Sequence, residues 1–189
     1  MFFAWRTKSR CQNHSPRPIC CLKLRLLQPV PTGTKFARMA RRRMPPTRFA
    51  CVWLSSMFFG IDDPKVLTTA LLHDTIEDTT TDYDDIAERF GADVARWVAA
   101  LTKDMRLEEA TREAEYHRVL AGAEWPVTIC KLADIYDNLS DSKTLSAKGR
   151  ERGMIRAWQY LHAMHATLSP QATAAYAIVE QKLNAMQSG

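Results

Sequence analysis

The stretch Ala70-Leu71-Leu72-His73-Asp74-Thr75-Ile76-Glu77-Asp78-Thr79 decides how the rest of the chain is read. A His-Asp pair closes an apolar run, and a Glu-Asp pair follows within one turn. Four groups able to bind a metal or move a proton fall within six residues. His73 and Glu77 are four apart, as are Asp74 and Asp78, so on a helix each pair shares a face. Imidazole nitrogen beside carboxylate oxygen suits a divalent ion. A lone His-Asp pair is more often a core histidine beside a helix-end aspartate. Acids at a helix C-terminus, however, oppose its dipole. Clustered titratable groups against an apolar face are also costly unless a counter-charge compensates them. The arrangement therefore points to function.

Outward from this stretch, helical signals continue. Asp62-Asp63-Pro64 is a helix start, an Asp cap with proline at the first helical position, and the helix is expected to run to about Ile76. Val66, Leu67, Ala70 and Leu71 form its buried stripe, with Thr69 beside them. Thr81 or Asp82 caps a short helix ending near Phe90, and Gly91 is its terminator. Val94, Trp97, Val98 and Leu101 keep helical spacing. Residues 107–120 are charged, with Glu109, Arg112, Glu113, Glu115 and Arg118 suited to an exposed face. Trp125-Pro126 opens the next helix. Residues 148–168 are amphipathic through Met154, Ile155, Trp158, Leu161 and Met164, and Ser169-Pro170 starts the last helix. No alternating β-branched run or hairpin turn signal interrupts this series, so the expected class is all-α.

Lys131, Asp134 and Asn138 lie three and four apart on an otherwise apolar segment and so line one face. Two readings stay open for them. One is an Asp ligand flanked by phosphate and ribose contacts; the other is a Lys131–Asp134 surface pair worth a few tenths of a kcal/mol. His162 and His165 have metal-pair spacing but no acid one turn away, which favours a plain polar face.

The net charge of +5 conceals two unlike parts. Residues 1–60 hold twelve Lys or Arg and no acid, whereas residues 61–189 carry a net charge of −7. Cys11, Cys20, Cys21 and Cys51 crowd the first part, with no regular spacing and no zinc-knuckle gap, so a disulfide framework or zinc motif is not expected there. Three readings compete for residues 1–59: an Arg-rich targeting segment, a basic arm for nucleic acid, and translation in the wrong frame or from a mispredicted start. The abrupt change of composition at Gly60-Ile61 favours the third, and the nucleic-acid role ranks last. Division into an aberrant segment 1–59, irregular or poorly ordered, and one domain at 60–189 follows. No run of 18 apolar residues is present, so no membrane span is expected. The cysteine pattern points to a reducing compartment, hence the cytoplasm.

The motif Leu71–Thr79, followed some sixty residues later by Lys131-Leu132-Ala133-Asp134-Ile135-Tyr136-Asp137-Asn138-Leu139, resembles the HD-superfamily hydrolases of the RelA/SpoT type. These remove the 3′-pyrophosphate of the alarmone ppGpp. Residues 87–103 also look like that family, and the resemblance spans about Gly60 to Leu168. It implies an HD helical bundle of the small stand-alone form. It implies His73, Asp74 and Asp134 as metal ligands, with manganese the usual ion. Glu77 and Asp78 match the catalytic acidic pair, Asn138 a nucleotide contact, and Lys131 a phosphate contact. The substrate implied is a guanosine nucleotide, ppGpp or pppGpp. The family has one more histidine ligand, which would fall near Thr47–Phe49, but no histidine lies between His14 and His73. Cys51 is the nearest candidate and is slightly out of place. Arg41-Arg42-Arg43 could imitate the family's basic, base-stacking loop. A domain that binds nucleotide without hydrolysing it, or a nucleotidase of other specificity, are the alternatives.

Overall fold

The computed structural model describes residues 46–188. These form helices α1 (Pro46–Trp53), α2 (Pro64–Leu72), α3 (Thr75–Asp78), α4 (Tyr83–Phe90), α5 (Ala92–Leu101), α6 (Glu109–Ala121), α7 (Trp125–Asp141), α8 (Ala147–His165) and α9 (Thr173–Gln187). A π-helical turn, Leu54–Phe58, follows α1. No strand occurs among the described residues, as the all-α reading expects. None of their helices is long and apolar enough to cross a membrane.

The bundle is organised on α7, which packs against α1, α2, α5, α8 and α9. Val127, Ile129, Cys130, Leu132 and Ala133 of α7 are at most 1% exposed, so apolar residues cover nearly the whole circumference of its first half. Burying each large side chain contributes about 1.5–3 kcal/mol. Leu67, Leu71, Leu120, Leu161 and Leu183 meet them in the main core. A satellite cluster of Leu72, Ile86, Val94, Ala95 and Val98 binds the α4–α5 hairpin to the end of α2.

Caps explain the boundaries. Asp63 accepts a 2.7 Å hydrogen bond from the Lys65 amide, with Pro64 at the first helical position. Asp82 and Asp85 form a reciprocal capping box that starts α4. Gly91 lies between α4 and α5 at φ +93°, a conformation that a side chain would oppose.

Three expectations need correction. Residues 46–58, within the stretch expected to be irregular, are helical: Cys51, Val52, Leu54 and Ser55 are buried, and α1 packs against α2 and α7. The prolines at 16–31 and Arg41-Arg42-Arg43 lie outside the described residues. The helix beginning at Pro64 does not continue to Ile76; it ends at Leu72, and Asp74 has φ −98° and ψ +6° before α3 begins. Finally, Ile155 is 51% exposed, and the stripe α8 buries is Ala157, Tyr160, Leu161 and Met164.

Candidate active site

A cavity of about 660 Å³ opens between the end of α2, α7 and α8. Its acidic end is built by three elements meeting at α7. The end of α2 supplies His73, 5% exposed, and Asp74 follows it. The middle of α7 supplies Asp134; Cys51 of α1, 2% exposed, is not among the lining residues but adjoins this end. One donor atom each of Cys51, His73 and Asp134 lie within 4.8 Å of one another.

His73 is oriented from behind. Its Nδ1 is 2.8 Å from the Ala70 carbonyl oxygen, which can only accept, so Nδ1 carries the proton and donates. Nε2 then faces the carboxylates, 2.9 Å from Asp74 and 3.9 Å from Asp134. A ring nitrogen tied to a backbone carbonyl is the usual support of a metal-bound histidine. Burial pulls the His73 pKa down, but the hydrogen bond to Asp74 and the charges of Asp74 and Asp134 outweigh it and hold the imidazole above its ordinary range.

Asp134 is held from both sides. Lys131 Nζ donates to its Oδ2 at 2.8 Å, and Asn138 Nδ2 donates to its Oδ1 at 2.8 Å. Burial would raise its pKa, but Lys131, His73 and Asn138 together keep it lowered. Lys131 is itself 8% exposed, so the pair is interior and the surface-pair reading is corrected. The Lys131 ammonium is 4.5 Å from the centre of the Tyr160 ring and 5.2 Å from that of Tyr116. Burial and the carboxylates Asp134 and Asp137 push the Cys51 thiol up, so without a nearby cation it is neutral.

These residues fit a divalent ion. They offer sulfur, nitrogen and carboxylate oxygen at separations that bonds of about 2.0–2.3 Å can span after small side-chain movements. Sequence reasoning placed His73, Asp74 and Asp134 here, and the structure brings all three together. Glu77 lines the same cavity, and its Oε1 accepts a 2.6 Å hydrogen bond from the Lys103 amide. Asp78 is not among the lining residues. Lys131 and Asn138 both line the wall.

Other lining groups escaped the sequence reading. Lys103 Nζ contacts Glu113 at 2.7 Å and Tyr160 Oη at 2.6 Å, and Tyr160 Oη donates to Glu113 at 2.7 Å. Glu113, expected on an exposed face, therefore turns inward. Burial raises its pKa, but Lys103 and Tyr160 more than reverse this and leave it lowered. Arg150, Arg152 and Arg156 line the side formed by α8. Their signal is the i, i+2, i+6 spacing of three arginines at the start of α8, on a chain otherwise acidic after residue 60. Tyr136 is outside the lining, stacked between Phe58 and Lys182. His162 and His165 pack on Trp158 and Tyr176 as aromatic contacts away from the site.

The HD domain family model matches residues 50–152, a span that runs from the second half of α1 to the start of α8 and includes Cys51, His73, Asp74 and Asp134. The chain belongs to the HD domain family. Among its relatives, guanosine-3′,5′-bis(diphosphate) 3′-pyrophosphohydrolase of Aquifex aeolicus is 45% identical over 80 residues, 41% of this chain and 12% of that protein. The pyrophosphohydrolase MESH1 of Danio rerio is 38% identical over 89 residues, 47% of this chain and 49% of that protein. The chain thus spans at most about half the length of these two relatives. A solved structure described as a metazoan orthologue of SpoT that hydrolyses ppGpp shares the HD fold, with TM-score 0.64 and 24% identity over 90% of this chain and 98% of that one.

Proposed function

We propose that the chain is a metal-dependent phosphohydrolase that cleaves guanosine 3′,5′-bis(diphosphate) and water into GDP and pyrophosphate. The observation that carries this reading is one cavity with an ion-binding acidic end, His73, Asp74 and Asp134, and a cationic wall, Lys103, Lys131, Arg150, Arg152 and Arg156. Such a cavity accepts a compact polyanion by one reactive phosphate while balancing the others. The names of the relatives support the nucleotide, and the family resemblance supports manganese as the ion. A bound divalent ion would lower the pKa of a water molecule and polarise a phosphoryl oxygen.

The remaining work falls to the chain's own groups. Glu77, fixed by the Lys103 amide, takes a proton from the attacking water. Asp78, the second member of the acidic pair, lies outside the lining, and the resemblance alone assigns it proton return to the departing ribose 3′-oxygen. Lys131 and Lys103 balance phosphate charge, and the arginines of α8 face the second diphosphate. Asn138 orients Asp134 and contacts the nucleotide. Tyr116 and Tyr160 hold the two lysines in place through their ring faces. The buried free thiols Cys51 and Cys130 support a reducing compartment, the cytoplasm.

The test is release of pyrophosphate from ppGpp by the purified chain with Mn²⁺, Co²⁺ or Zn²⁺, followed by anion-exchange chromatography. His73→Ala and Asp134→Asn should abolish release, and Glu77→Gln should lower it by roughly 10²–10⁴-fold. Tight ppGpp binding with no turnover under any of the three ions would replace the reading with a nucleotide-binding module.

A further inference from the structure

We infer that Cys51 is a metal ligand of this site, and that its thiolate shifts the ion preference from manganese toward zinc, cobalt or iron. The inference rests on the metal-centre reading above and goes beyond it in naming a ligand and an ion class.

Three observations carry it. Cys51 Sγ belongs to the one group of three metal-ligating side chains found among the described residues, with His73 and Asp134. The thiol is 2% exposed, so its sulfur meets His73 and Asp134 rather than solvent. Third, the position is set by packing. Helix α1 lies against both α2 and α7, the elements that carry His73 and Asp134, so Cys51 is delivered to the point where the three meet. By contrast Cys130, the other free buried cysteine, has a separate role: its thiol donates to the Val66 carbonyl at 3.6 Å inside the core.

On ion binding the thiol gives its proton to solvent as the Sγ–metal bond forms. Sulfur donors favour the softer divalent ions, whereas carboxylate and water suit manganese and magnesium.

The test uses the full-length chain with Cys11, Cys20 and Cys21 replaced by serine, so that Cys51 and Cys130 are the remaining thiols. Cobalt(II) is titrated in and its absorption recorded. The expected result is a near-ultraviolet thiolate-to-cobalt band that persists in Cys130→Ser and disappears in Cys51→Ser. Zinc affinity should fall roughly tenfold or more in Cys51→Ser, with manganese affinity changed far less. Cys51→His guards against a folding defect; it should still bind cobalt, without the sulfur band and with relatively stronger manganese binding. Cobalt binding that is lost in Asp134→Asn but never shows a sulfur band would overturn the Cys51 assignment and leave the metal centre standing. No cobalt binding to the chain at all would overturn both.

Discussion

The Lys131–Asp134 pair offers the most direct measure of how the site is held together. The perturbation is a double-mutant cycle of Lys131→Met and Asp134→Asn, measured in chelator. The 2.8 Å contact corresponds to about 6 kcal/mol at an effective dielectric of about 20, and about 1.5 kcal/mol in bulk water. Lys131's side chain is 10% exposed and Asp134's 21%, so the pair is mostly but not wholly removed from water. Removing one partner of such a buried pair costs about 3 kcal/mol, near the lower end for buried pairs. Methionine keeps the apolar stem over the Tyr116 and Tyr160 rings, so the loss reports charge and not packing. Urea unfolding followed by circular dichroism should show Lys131→Met about 3 kcal/mol less stable than wild type, a Tm drop of roughly 6–12 °C. In the Asp134→Asn background the same change should cost less than about 1 kcal/mol. Additive effects, equal within about 0.5 kcal/mol in both backgrounds, would refute the claim that Lys131 compensates Asp134.

Three further expectations follow from the geometry. Asn138→Ala removes the donor to Asp134 Oδ1 from an exposed residue, so turnover should fall about tenfold while urea stability drops by no more than about 1 kcal/mol; a loss of stability without loss of turnover would contradict it. Glu113 has a lowered folded pKa, so its contribution is present above the ordinary carboxylate range and is lost as pH falls through the lowered value. Glu113→Gln should therefore be about 1–2 kcal/mol less stable at neutral pH and indistinguishable from wild type once the acid is protonated, as read by unfolding across a falling pH series. Leu132→Ala, at a fully buried position of α7, should cost about 2–5 kcal/mol by the same measurement.

Much of this was legible in the sequence because it is local. The apolar spacing of α2, α5 and α7 and the Asp63-Pro64 start are one-dimensional signals, and the helices are found where those signals place them. His73, Asp74 and Asp134 are recognisable because the two motifs that carry them sit on apolar helices. What was hidden depends on packing between distant segments. Glu113 has the spacing of a surface residue; only the approach of Lys103 and Tyr160 turns it inward. The break at His73-Asp74 has no proline or glycine to announce it, since the apolar and polar pattern continues unchanged to Ile76. Cys51 looked slightly out of place because it is offset in sequence from an expected histidine; only the packing of α1 against α2 and α7 brings its sulfur to His73 and Asp134.

The contacts of Asp134 also bear on how readily the centre would exchange its ion. Its two oxygens are already engaged by Lys131 and Asn138, and His73 lies within 3.9 Å. The protein therefore supplies its own counter-charge to Asp134. An arriving ion must compete with an ammonium group already seated against the same carboxylate, and a departing one leaves a balanced set of charges behind. An ion held against a carboxylate balanced in this way would exchange with its surroundings, and its occupancy would follow the free concentration of ions rather than being set once, during synthesis.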